Sequence, residues 1–332
     1  MWRRFERWCR IRLSAHPRLR AVASSLRRRL MPSRWAALAS RHWDERVGDV
    51  EAGRQRGWLD WPLVEVEHVR PQISGDPEVY YLQYFFERHM GFKPAASILS
   101  LGCGGGNLER ALIDVGMAHR VEGIDVSPES IRLANELAAQ AGLGDRLRYR
   151  VGDIDGIELP EDTHDVVIAK MALHHLENLE HIYEQIRRTL KPGGLLMINE
   201  FVGPSRFQWT DQQLQLMNEL LERLPKKARR AAPFARILRP ELEDMKTLDP
   251  SESVRSAEVI PVLEQSFEVV DLKPYGGTLL HILLSHVMAG FDLEDEKDLS
   301  ILRLMFLYER TLVEHQVIPS DFAFLVARPR QA

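Results

Sequence analysis

Cysteine is scarce in this chain: Cys9 and Cys103 are its only two. Two thiols exclude a disulfide framework and a four-cysteine zinc site. They also exclude the three-cysteine cluster that holds iron–sulfur in a radical enzyme. The usage suits a reducing, cytoplasmic compartment, and Cys103 reads as a small packing residue rather than a nucleophile. Long apolar runs are missing as well. No stretch reaches the roughly 18 apolar residues of a membrane-spanning helix. The longest candidate, 278–291, is interrupted by His281 and His286 and reads as a core helix. Acids are almost absent from residues 1–34, which hold eleven arginines and only Glu6. Internal repeats and low-complexity tracts are absent.

What is present is a chain of 332 residues, 45% apolar, enough for one large domain with a sizeable cap. Of its 44 basic and 48 acidic residues, 33 and 47 lie beyond residue 34. The body is thus near −14 and the arm near +10. Trp2, Phe5, Trp8, Ile11 and Leu13 place apolar anchors among the arginines. Such an arm suits peripheral contact with an anionic membrane, docking on the acidic body, or targeting. An acidic body repels phosphate backbones, so nucleic acid is not the expected partner.

Ile98 to Gly106 reads Ile-Leu-Ser-Leu-Gly-Cys-Gly-Gly-Gly, a buried strand entering a glycine loop. Gly102, Gly104 and Gly106 let the backbone turn tightly and a ligand lie against it. A helix follows from Asn107 to Val115, with Leu108, Ala111, Leu112 and Val115 on one side. Residues 120–125 read as a second strand ending in Asp125. Ser127 then caps a helix with Pro128 at its first position. A third strand, Leu147 to Val151, leads to Gly152-Asp153. Strands alternating with helices of this length predict right-handed βαβ units and a parallel sheet. Ligands of such sheets bind outside the carboxyl ends of the strands, where Asp125 can accept from ribose hydroxyls.

These segments resemble the class I S-adenosylmethionine-dependent methyltransferases, closely over about 95–202. The glycine loop matches that family's first motif, Gly-Ile-Asp125-Val126-Ser127 its second, and Gly152-Asp153-Ile154 its third. Residues 165–176, with Lys170 at the strand end, resemble its fourth strand. Residues 190–200, with the Pro192-Gly193-Gly194 turn, resemble its fifth. The resemblance implies a doubly wound, mostly parallel seven-stranded α/β sheet of Rossmann-like form, with S-adenosylmethionine as cofactor. The loop would hold the methionine part, Asp125 the ribose, and Asp153 and Ile154 the adenine. Ser100, Val126 and Lys170 would line the same site. One departure stands out: the family usually has an acid where this chain has Ser100, leaving the methionine amino contact without a charge. A nicotinamide site fits worse, because its Gly-x-Gly-x-x-Gly spacing is broken by Asn107.

Read along its length, the chain divides into a helical basic arm (1–46), a cap (47–94), the cofactor core (95–202), a helical insertion (203–265) and the rest of the sheet (266–332). In the family it resembles, the last two strands pair antiparallel at one edge. Residues 266–272 and 323–328 would be those strands, with helices near 278–290 and 296–315 between them.

Methyl transfer needs an acceptor aligned with the methyl carbon and, for a hydroxyl or ammonium, a base. His174 and His175 follow the fourth strand and have the right pKa range. Glu200 ends the fifth, where it would orient the acceptor or pair with Arg206. Arg206 and Arg255 suit an anionic acceptor group, and Tyr275 and His281 form another candidate wall. No metal is expected. The reading is a methyltransferase acting on a small molecule or a lipid- or sugar-linked intermediate. The alternatives are an RNA methyltransferase using the arm, and a non-catalytic binding protein of the same fold. The Asn/Asp-Pro-Pro-aromatic signature of adenine-amine methylation is absent after strand four, where Lys170-Met171-Ala172-Leu173 stands.

Overall fold

The computed structural model describes residues 57–330. The basic arm (1–46) and the start of the cap (47–56) lie outside the described residues. Seven strands form one sheet: β1 (Ala95–Leu101), β2 (Ala118–Asp125), β3 (Leu147–Val151), β4 (His164–Lys170), β5 (Leu190–Phe201), β6 (Phe267–Gly276) and β7 (Phe322–Pro329). Their order is β3-β2-β1-β4-β5-β7-β6. The first five run parallel, and β7 is antiparallel to both β5 and β6.

The central strands are apolar on both faces, as a parallel sheet covered on each side requires. Ile98 and Val166 enter one buried cluster; Leu99 and Val167 enter the other. The first face is covered by α1 (Tyr81–Met90), α2 (Asn107–Asp114) and α3 (Pro128–Gln140), through Tyr81, Phe85, Leu112 and Ala134. The second is covered by α4 (Leu179–Thr189), through Ile182, Tyr183 and Ile186. As the sequence predicts, Ser127 caps α3 by accepting from the Ser130 amide. The Pro192-Gly193-Gly194 segment does not stand before the fifth strand. It lies inside β5, where its pairing with β4 shifts register between His164 and Val166.

Past β5 come α5 (Asp211–Arg223), α6 (Lys226–Ala231), α7 (Leu242–Leu248) and α8 (Val259–Ser266). Between β6 and β7 lie α9 (Leu280–Val287) and α10 (Glu296–Glu314). Thr210 and Gln213 form the reciprocal cap of α5. Among the described residues no helix is long and apolar enough to cross a membrane. The 278–291 segment is α9 with a short 3₁₀ turn, packed through Leu280, Leu283, Leu284 and Val287.

The cap is tied to the far side of the sheet. Tyr84 Oη donates to Asp271 of β6 at 2.7 Å, and His89 Nε2 lies 3.1 Å from the same carboxylate. Deeper in, Glu309 of α10 is fully buried and accepts from the amides of Gly277, Leu279 and Leu280. Its Oε2 also meets His68 Nε2 at 3.1 Å. One carboxylate therefore caps the start of α9 and joins it to the cap segment. β6 is the outermost strand at this end. It contains Pro274, which has no N–H, and its pairing with β7 breaks register at Val269/Asp271 and at Pro274/Gly276.

Candidate functional site

The glycine loop leaves β1 at the centre of the sheet, between β2 and β4, where ligand crevices open in doubly wound folds. Gly102 has φ 68°, and a Cβ there would stand 2.6 Å from Ala172 Cβ. At Gly106, φ is 74° and a Cβ would stand 2.6 Å from Tyr149 Oη. Only glycine fits either position. Gly104 (φ 50°) has nothing within 4 Å of such an atom, so its face is open to a ligand.

Asp125 closes β2 and organises the loop. Its Oδ2 accepts from the Gly104 amide at 2.8 Å and its Oδ1 from the Ser127 amide at 2.9 Å. A carboxylate at the end of the second strand is the group that accepts from ribose hydroxyls in crevices of this kind. The half-buried Val126 follows it. The Gly152 amide donates to the Asp125 carbonyl, which brings Asp153 and the buried Ile154 to the same rim. Asp153 accepts from the Asp155 amide at 3.1 Å. Lys170, at the end of β4, is exposed.

Ser100 is buried and donates from Oγ to Glu109 Oε1 at 2.5 Å. Glu109 stands in the first turn of α2, just past the glycine loop, where the helix dipole favours an acid. It is almost fully buried, and its Oε2 has no hydrogen-bond partner. Burial raises its pKa, against the Ser100 hydrogen bond and the charges of Arg110 and Lys170. The carboxylate missing at position 100 is therefore present nearby, supplied from the helix. Sequence reasoning missed it; the signal was an acid within the apolar first turn after the loop. Open backbone at Gly104, Asp125 at the rim and a buried carboxylate with spare capacity fit S-adenosylmethionine.

The second half of the site lies at the ends of β4 and β5. Glu200 is fully buried and accepts from the amides of Ala172, Leu173 and Phe201. Its Oε1 also meets His174 Nδ1 at 2.5 Å. Ala172 and Leu173 begin the 3₁₀ turn Leu173–His175, so Glu200 holds this turn in place. Burial disfavours charge on His174, but Glu200 outweighs it and lifts the pKa to about 9. Burial, then the charge on His174, holds His175 below the usual histidine range. His175 Nδ1 lies 3.2 Å from the Ser251 carbonyl. Since a carbonyl only accepts, Nδ1 carries the proton and Nε2 the lone pair.

Glu252 reaches this pair from the loop before α8. Its Oε1 stands 3.7 Å from His174 Nε2 and accepts from Ser253 Oγ at 2.8 Å. The loop is fastened by the Val254 amide to the His174 carbonyl and by the Arg206 amide to the Ser253 carbonyl. His174, His175 and Glu252 each offer a ligand atom within 4.8 Å of the others, a grouping that can hold a metal ion. The sequence reading expected none.

Aromatic rings continue from the histidines. The His174 ring is 4.0 Å from that of His175 and 6.1 Å from that of Phe201. Phe201 in turn meets His281 at 6.0 Å. Trp58, Phe207 and Phe322 also surround His281, at 6.4, 5.9 and 5.1 Å. Burial pushes the pKa of His281 down to about 4, so it is neutral.

Three residues expected to meet the acceptor have protein partners of their own. Arg255 pairs with Glu180 at 2.7 Å and with Glu258 at 2.6 Å. Arg206 turns its guanidinium to the Glu252 carbonyl at 3.0 Å, positioning the loop that carries Glu252. Tyr275 is fully buried, donates to Asn199 Oδ1 at 2.6 Å, and packs near Trp58 as part of the core.

A family model described as "Methyltransferase domain" matches residues 92–259, half of the chain. The sterol 24-C-methyltransferase ERG6B of Gibberella zeae is 32% identical over 129 residues, 39% of this chain and 34% of that protein. The ubiquinone/menaquinone biosynthesis C-methyltransferase UbiE of Hydrogenovibrio crunogenus is 28% identical over 160 residues, 44% of this chain and 63% of that protein. The chain thus spans about a third of the length of the sterol methyltransferase. Among solved structures, the geranyl diphosphate C-methyltransferase of Streptomyces coelicolor A3(2) aligns with TM-score 0.53 and 15% identity, over 90% of this chain and 100% of that one. The [4+2]-cyclase SpnF aligns with TM-score 0.52 and 14% identity, over 91% and 99%. These two likenesses concern the fold alone. By the matched domain, its motif residues and the sheet they stand on, the chain belongs to the methyltransferase-domain family, in its class I, S-adenosylmethionine-dependent branch.

Proposed function

We propose that this chain methylates a small, mainly apolar acceptor whose hydroxyl faces the His174–His175 pair. The observation that carries this reading is the ring cluster running from His175 through His174 and Phe201 to His281, walled by Trp58, Phe207 and Phe322. Aromatic walls with one polar end suit a ring-bearing or isoprenoid molecule. The arginines that would suit a phosphate or carboxylate are held by protein groups. This favours an uncharged acceptor over a phosphorylated lipid or sugar intermediate. The relatives named for sterol and ubiquinone/menaquinone methylation support an apolar, ring-bearing acceptor, while their names specify transfer to carbon rather than to a hydroxyl.

In this reading Gly102, Gly104, Asp125, Asp153 and Ile154 hold the cofactor, and the second oxygen of Glu109 meets its amino group. When bound, S-adenosylmethionine supplies a sulfonium methyl for in-line displacement. Glu200 fixes the His174 turn and keeps His174 charged, which in turn keeps His175 neutral. His175 Nε2 then presents a lone pair to the acceptor hydroxyl, as a base must. His281 and its aromatic wall exclude water.

The test is methyl incorporation from labelled S-adenosylmethionine into a panel of sterols, hydroquinones, phosphorylated amines and RNA. Transfer to the sterol or hydroquinone group is expected. Transfer confined to phosphorylated amines or RNA overturns the reading of the acceptor. Calorimetry that detects no S-adenosylmethionine binding overturns the cofactor assignment.

A further inference from the structure

We infer that His174, His175 and Glu252 form a binding site for one divalent transition-metal ion of the zinc class, beside the acceptor position. Three features of the geometry carry this.

The first is spacing. His174 Nε2 and Glu252 Oε1 are 3.7 Å apart, too far for a hydrogen bond. Two ligands each about 2.1 Å from a zinc-class ion at a tetrahedral angle stand roughly 3.4 Å from one another. The pair is therefore within a few tenths of an ångström of coordinating separation, and the His175 ligand atom completes the trio within 4.8 Å.

The second is backing. A ligating histidine characteristically donates its other ring N–H to a carboxylate or carbonyl, which fixes its tautomer and aims its lone pair. Both histidines have that arrangement. His174 Nδ1 meets Glu200, itself immobilised by three backbone amides. His175 Nδ1 meets the Ser251 carbonyl, and Ser251 Oγ is anchored on Asp249 at 2.7 Å. Glu252 is steadied by Ser253 Oγ.

The third is the donor set. Two imidazoles and one carboxylate suit zinc, iron(II) or cobalt(II) rather than magnesium or calcium, which favour all-oxygen shells. Three protein ligands leave a fourth position for water or a substrate oxygen, the pattern of catalytic rather than structural sites. This deepens the proposed function by adding a second, metal-loaded state of the same site. In that state the ion would take the place of the proton on His174 Nε2, and the His175 lone pair would go to the metal. An acceptor hydroxyl in the fourth position would then be activated by the ion rather than by His175 as a base. Metal uptake itself is measured without acceptor or methyl donor, so its failure would leave the methyltransferase reading standing.

The experiment is a titration of the metal-stripped full chain with Co²⁺, followed by visible absorption, with Zn²⁺ as competitor. One Co²⁺ per chain with a four-coordinate spectrum, displaced by Zn²⁺, is expected. His175→Ala and Glu252→Gln should each weaken binding at least tenfold, with circular dichroism unchanged. Should one variant misfold, the other decides. Absence of Co²⁺ uptake by the wild-type chain, or uptake that persists unchanged in the folded variants, overturns the site.

Discussion

The hydroxyl of Ser100 donates to the Glu109 carboxylate at 2.5 Å beside the glycine loop, so a serine on the strand and an acid on the helix together occupy the place of one strand-borne carboxylate. The exchange moves the charge but keeps it close to the loop. It also leaves the second Glu109 oxygen buried with no hydrogen-bond partner.

Glu109→Gln should therefore weaken S-adenosylmethionine binding by about tenfold or more, the scale of one charge-assisted hydrogen bond of about 1.5–3 kcal/mol. Adding Ser100→Asp to that variant should restore much of the loss. Calorimetric titration reads both. Equal affinity for wild type and Glu109→Gln would remove Glu109 from the cofactor site.

Gly102→Ala should damage the chain for two separable reasons. The backbone has φ 68°, and the new Cβ would stand 2.6 Å from Ala172 Cβ. A loss on the order of 2–4 kcal/mol is expected, from a non-glycine positive φ plus overpacking. Ala172→Gly in the same chain should recover the overpacking part only. Urea unfolding of the single and double variants separates the two contributions.

Glu309→Ala should lower stability by roughly 3–5 kcal/mol, because the amides of Gly277, Leu279 and Leu280 lose their shared acceptor in the core. Thermal unfolding measures it. A change below about 1 kcal/mol would mean that those amides find other acceptors.

Asp321 gives the chain an unusual dependence on pH. It is buried, accepts from Trp209 Nε1 at 3.0 Å, and burial pushes its pKa up to about 7 despite that hydrogen bond. An unfolded aspartate titrates near 4. The folded state thus holds a proton that the unfolded state releases. The associated stability is full below about pH 4, falls as pH rises, and is gone above about pH 7. The loss is on the order of 3–4 kcal/mol. Asp321→Asn should flatten this decline, as urea unfolding at a series of pH values would show.

The sheet and the cofactor rim were legible because their signals are local. Gly102, Asp125 and Asp153 stand at strand ends that the apolar pattern marks, and Ser127-Pro128 marks a helix start within two residues. The acceptor side was harder to read. Glu252 meets His174 across 78 positions of sequence, and no local pattern announces such a meeting. Arg255 is hard to place for the same reason: its residue type suits an anion, and only the fold shows Glu180 on α4 beside it. Arg206 was also expected to bind a ligand, and it braces the neighbouring loop instead. Residue type shows what a side chain can bind, whereas the tertiary fold decides which partner reaches it first.

The two outer strands also bear on how the chain behaves when crowded with copies of itself. An exposed strand edge is a template on which another chain can add. Here β6 offers a poor one. Pro274 removes a donor, two register breaks twist the ladder, and Asp271 and Lys273 place charge along it. At the other margin β3 is only five residues long and carries Arg148 and Arg150. Neither margin suits the end-to-end growth of sheets that leads to fibres, so the open sheet that the cofactor crevice requires is kept without an aggregation-prone edge.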